Sequence, residues 1–155
     1  MAAHPPPNYH GSAAFAIRGA PWLHSSEGYE DWYLVDDFAA LGLLNDAAVS
    51  GVRKQPHDEA ASKAGWGAGG IYKLLQGARD LAAARYATWF GKPAGITYQD
   101  FYDRIGQLPK NSSLWQRQMV LGPAPEFCLH CAEPVESARA LSGVTVELRR
   151  IRETF

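Results

Sequence analysis

Ile71-Tyr72-Lys73-Leu74-Leu75-Gln76-Gly77-Ala78-Arg79-Asp80-Leu81-Ala82-Ala83-Ala84-Arg85-Tyr86-Ala87-Thr88-Trp89-Phe90 can be read in two ways, and the choice decides the fold. As a helix, Ile71, Leu74, Leu75, Ala78, Leu81, Ala82, Tyr86 and Trp89 share one stripe, and the alanines suit it. Against a helix, Gly77 interrupts the run and Tyr86 to Phe90 is strongly β-prone. Periodicity alone favours the helix narrowly. The elements on either side require strands, so the stretch is read as two of them, Gly70 to Gln76 and Ala84 to Phe90.

Downstream, Thr97 and Asp100 form a capping-box pattern between the staple residues Ile96 and Phe101. Tyr98, Phe101, Tyr102, Ile105 and Leu108 then line one helical face, and Pro109 closes the helix. Trp115–Leu121 and Glu126–Cys131 read as strands flanking Gly122-Pro123-Ala124-Pro125. Glu133–Leu141 is a short helix candidate, and Val144–Leu148 alternates as a last strand should. Upstream, residues 1–11 carry Pro5-Pro6-Pro7 and are expected to be a disordered tail. Ser12–Ile17 and Tyr29–Val35 are strand candidates, and Asp37 caps a helix that begins at Phe38 and stops by Gly51. His57–Ala64 can hold a short helix before the glycines of Gly65–Gly70, which mark a connector.

The chain has 155 residues with 46% apolar and 20% charged residues, the balance of a globular domain. A net charge of −1 with interspersed signs lacks the basic footprint of a nucleic-acid binder. No apolar run reaches the roughly 18–20 residues of a membrane span, and the opening residues lack a signal-peptide pattern. No membrane association and a cytoplasmic location are therefore expected. Two cysteines make no disulfide framework.

The order strand–helix–strand–strand–helix–strand over residues 84–155 is the split βαβ, ferredoxin-like arrangement. Residues 12–77 give strand–strand–helix–strand, the same unit without its opening strand and helix. An α+β fold of ferredoxin-like units with antiparallel sheets follows, forming one compact domain overall. Arg18-Gly19-Ala20-Pro21 followed by Glu30–Val35 loosely echoes Arg117–Pro125 followed by Glu126–Cys131. Through Trp89-Phe90-Gly91-Lys92-Pro93, Tyr98-Gln99-Asp100-Phe101, Trp115-Gln116-Arg117 and Pro125-Glu126-Phe127, the chain resembles the dimeric α/β-barrel superfamily, in particular its EthD-like and NIPSNAP-like branches. That resemblance implies paired sheets enclosing a small organic molecule. The incomplete first unit points to a homodimer. As an enzyme, such a protein would be a cofactor-independent oxidase, isomerase or cyclase.

Strand alternation sets Phe127, Leu129 and Cys131 under the helices and leaves Glu126, Cys128 and His130 on the barrel side. By the echo, Glu30, Trp32 and Leu34 share that side. Trp32 and Trp89 are candidate stacking surfaces, Arg117 a fixed positive charge, Glu126 a polar contact and His130 a general base. His57, beside Asp58 and Glu59, is a second candidate ligand contact. This set suits a flat apolar or aromatic ligand with an acidic or carbonyl oxygen. Cys128-Leu129-His130-Cys131 has no second Cys/His pair at ligand spacing, and its cysteines point to opposite faces, so no metal is expected. No cofactor is expected either. Haem, with His130 or His57 as axial ligand, is an alternative suggested by some relatives of the superfamily, and a non-enzymatic structural or interaction role is another.

Overall fold

A computed structural model of the chain describes residues 5–64, 66–120, 124–136 and 142–151. They form an α+β protein with two antiparallel-type sheets. Strands β1 (Tyr9–Arg18), β2 (Glu27–Val35) and β8 (Arg149–Arg150) make a sheet ordered β2-β1-β8. Strands β3 (Gly70–Gly77), β4 (Tyr86–Phe90), β5 (Ser113–Val120), β6 (Phe127–Cys131) and β7 (Val144–Glu147) make a second, ordered β3-β5-β6-β4-β7.

The ambiguous 71–90 stretch is two strands. Gly77 ends β3 at φ +95, where a side chain would collide with the Ser112 carbonyl. Only glycine tolerates both the backbone angle and that approach. β4 is nearly all buried, because it is paired on both sides, with β6 and with β7. Residues of such a central strand cannot follow a helical stripe; they fill both faces of the sheet.

Contacts divide the chain into two units. One comprises Met1–Ala13 and Asp31–Gly67, the other Ala14–Glu30 and Ala68–Phe155. β3 pairs with β5, within the second unit. Within residues 1–11, expected as a tail, a turn and the start of β1 are described. Asn8 turns with φ +60, Tyr9 N donates to the Pro6 carbonyl at 3.3 Å, and β1 begins there.

In the first unit, helix α1 (Phe38–Ala48) starts at Asp37, whose carboxylate accepts from Ala40 N at 2.9 Å. Ala40 and Leu44 are its buried residues. A 3-10 turn (Gly51–Arg53) leads into α2 (Lys54–Ala64), which has exposed side chains throughout its described surface.

In the second unit, β4 and β5 both run antiparallel to β6, so they are parallel to each other with β6 between them. Helix α3 (Tyr98–Ile105) connects them. Its capping box is present: Thr97 Oγ1 accepts from Asp100 N at 3.1 Å, and Thr97 N donates to the Asp100 carboxylate at 3.3 Å. The helix ends at Gly106, φ +65, before the expected stop at Pro109, because glycine there takes the left-handed region. Phe101 on α3 packs with Phe90, Leu114, Phe127 and Leu129 in a core edged by Ile96, Tyr102, Ile105, Leu108 and Val135. The expected helix over Glu133–Leu141 runs into residues 137–141, which lie outside the described residues. Among the described residues no helix is long and apolar enough to cross a membrane.

Candidate functional site

The sheet face opposite the α3 core is built in cross-strand rows. In one row Val144, Trp89, Cys128 and Trp115 are register partners across β7, β4, β6 and β5. In the next row Val146, Ala87, His130 and Ser113 stand side by side. Cys128 is thus the small residue between two tryptophans, and His130 is the large residue between Ala87 and Ser113. Alternating sizes of this kind let an imidazole lie within a closed sheet surface without displacing its neighbours.

Residues 14–30 supply what covers this face. Phe15 of β1 lies stacked near the His130 ring, with centroids 6.4 Å apart. Glu30 of β2 brings Oε1 to 2.9 Å from His130 Nε2. The two side chains are 1% and 10% exposed, so the bond is formed out of water. In that medium a charge-assisted hydrogen bond is stronger than at a surface. A carboxylate only accepts, so Nε2 is the donor in this hydrogen bond and Nδ1 is the ring's other nitrogen. Cys128 Sγ lies 3.9 Å from that Nδ1 and 4.0 Å from Nε2. Glu30, Cys128 and His130 therefore present one ligating atom each within 4.8 Å of one another.

Burial, then the nearby charges of Glu30 and Cys131, push the Cys128 thiol well above its ordinary range. A thiol held protonated is a poor nucleophile, so the Cys–His–Glu order is not that of an activated cysteine. Burial also raises Tyr72, with the charge of Cys128 adding to it. Tyr72 and Trp22 both meet Trp89 edge-on, at 5.8 and 5.4 Å between centroids. Trp22 is half-buried on the loop between β1 and β2, whose ends are joined by Gly19 N donating to the Ser26 carbonyl at 3.1 Å.

Of the residues singled out from the sequence, His130 and Trp89 share this face, in neighbouring rows on adjacent strands. Arg117 is on β5 and donates from Nη1 to the Ala124 carbonyl at 2.5 Å. Glu126 does not join His130. It precedes β6, so strand alternation does not bind it, and its carboxylate accepts from Tyr98 Oη at 2.9 Å and Gln116 Nε2 at 3.0 Å. Trp32 and His57 belong to the other unit, Trp32 buried on β2 and His57 exposed on α2. His57 Nδ1 is 3.4 Å from the Asp58 carboxylate. A shallow hollow beside it is lined by Gly51, Lys54, Gln55, Asp58, Glu59 and Ser62. Lys54–Asp58 and Gln55–Glu59 pair along the helix there, the pattern of a solvated helix face.

Phe15, Trp22 and Tyr72 were not chosen from the sequence. Trp22 follows Pro21 in a polar loop, and nothing in its local pattern marks it as part of a sheet face. The chain gives no match to known family models, to curated proteins or to solved structures.

Proposed function

We propose that this chain is a small-organic-molecule-binding protein of ferredoxin-like, dimeric α/β-barrel type, with the His130–Glu30 pair as the polar anchor of the site. The observation that carries this is a buried imidazole whose proton is fixed by a carboxylate on a face otherwise walled by Trp89, Trp115, Trp22, Phe15 and Tyr72. Apolar and aromatic walls with few convergent polar groups are the usual composition of a ligand site. Such walls suit a flat aromatic or alicyclic molecule, and His130 Nδ1 suits its acidic hydrogen.

The strand order supports the ferredoxin-like assignment. Numbered along the βαββ-β segment from β4, the sheet reads fourth, first, third, second, with β3 added beside the second. As an enzyme, the protein would use the Glu30-oriented imidazole to take a proton from substrate, the step shared by cofactor-independent isomerisation, cyclisation and oxidation. Ligand reaches the anchor by displacing Trp22, whose loop is the half-exposed part of the cover. Because residues 14–30 of the same chain cover the face, one chain supplies both walls. A homodimer would then join copies through other surfaces.

Native mass spectrometry of gently purified protein tests this proposal. A retained organic mass of a few hundred daltons, lost from the Trp89→Ala variant, is the expected result, and the same spectrum reports the subunit number. A retained mass unaffected by Trp89→Ala would place the ligand elsewhere and overturn it.

A further inference from the structure

We infer that Glu30, Cys128 and His130 form a binding site for one divalent transition-metal ion of the zinc type. The site shares Glu30 and His130 with the small-molecule proposal, but ion binding requires no organic ligand and does not rest on that proposal. Thiolate sulfur, imidazole nitrogen and carboxylate oxygen are the three donors that such ions take from proteins. Tetrahedral bonds of about 2.0–2.3 Å set donor atoms about 3.3–3.7 Å apart. Here sulfur and imidazole nitrogen are 3.9–4.0 Å apart, and nitrogen and carboxylate oxygen 2.9 Å. Sulfur and nitrogen need to approach by under an ångström, and all three donor atoms already lie within 4.8 Å of one another.

Two of the donors are fixed by the sheet. Cys128 and His130 stand two apart on β6, so both project from one face, and the pairings with β4 and β5 hold their backbone. Glu30 enters from β2 and completes the set. In the binding step the Cys128 sulfur–hydrogen bond breaks and its proton leaves to solvent. A sulfur–metal bond forms in its place, His130 Nε2 gives up its proton to the ring's Nδ1, and no oxidation state changes. The divalent charge then balances one thiolate and one carboxylate, so the buried site is neutral with the ion in place. Three protein donors leave the fourth tetrahedral position for water or a ligand oxygen, the arrangement of reactive rather than purely structural sites.

Cobalt(II) added to the metal-free protein reads this out, because a thiolate bound to cobalt gives a sulfur-to-metal charge-transfer band in the near ultraviolet. The band should rise to one equivalent and disappear when zinc is added. It should be absent from Cys128→Ser and present in Cys131→Ser, the other buried cysteine serving as control. Glu30→Gln and His130→Gln should each weaken the binding by at least about tenfold. Absence of the band in the unaltered protein would overturn the inference, as would a band retained in Cys128→Ser and lost in Cys131→Ser. The first outcome needs no variant, so a misfolded Cys128→Ser does not protect the claim. Organic-ligand binding, measured on metal-free protein, can succeed or fail independently of it.

Discussion

Ala87 and Ser113 give His130 its place. Both are buried beside it in one cross-strand row, and the Ser113 hydroxyl is committed to the Ala78 carbonyl. Ala87→Leu adds volume where packing is closed and is expected to cost about 1–3 kcal/mol, read from urea unfolding. An unchanged midpoint would mean that the row has room to spare. Cys131, on the other face of β6, makes a pH-dependent contribution. Burial, and secondarily Glu133, raise its thiol from 9.0 to about 11. The fold favours the protonated form, so this stabilisation is full below pH 9 and is lost as pH rises toward 11. Melting temperature should therefore fall across that window more steeply in the unaltered protein than in Cys131→Ala. Parallel curves would deny the linkage. At this scale Cys128 and His130 were legible, because alternation on a strand puts positions two apart on one face. Glu30 was placed on the same side only through the echo between residues 30–35 and 126–131. Its hydrogen bond to His130 spans 100 positions, and no local pattern encodes such a contact.

Helix α3 is the element whose local code and structure agree most closely. Thr97, Asp100 and Phe101 specify cap and buried face together, and both are present. Thr97→Ala should cost about 1 kcal/mol in chemical denaturation, and Thr97→Ser should recover most of it. Asp100 is held below the ordinary carboxylate range, chiefly by its hydrogen bond with Thr97. The cap therefore contributes above that range and weakens as acid titrates it. The 71–90 stretch shows the limit of element-level reading. Its alanines and its 3.6 spacing belong to a helix by propensity, yet pairing on both edges of β4 outweighs them. Strand β8 was not legible. Leu148 N bonds the Arg85 carbonyl beside one sheet while Arg149 and Arg150 pair with β1 in the other, and no residue type signals that change of partner.

Across the molecule, the order of elements carried more information than any motif. Two strands in place of a helix over 71–90 are what allow β4 to lie between β6 and β7 and to set Trp89 and Ala87 beside Cys128 and His130. The same count could not assign β3 to the C-terminal sheet, since an edge strand of Gly70–Gly77 is compatible with either sheet until its partner is known. Nor could composition reveal that residues 14–30 cover the His130 face. The proposed function has this covered face bind a flat organic molecule through His130 and its aromatic walls. Titration of naphthoate, an aromatic carboxylate probe, followed by ligand-observed NMR, tests it most directly. Saturable binding that weakens by about tenfold or more in both His130→Gln and Trp89→Ala, about 1.4 kcal/mol each, is the predicted result. Equal binding by all three proteins, or none by the unaltered one, would contradict it.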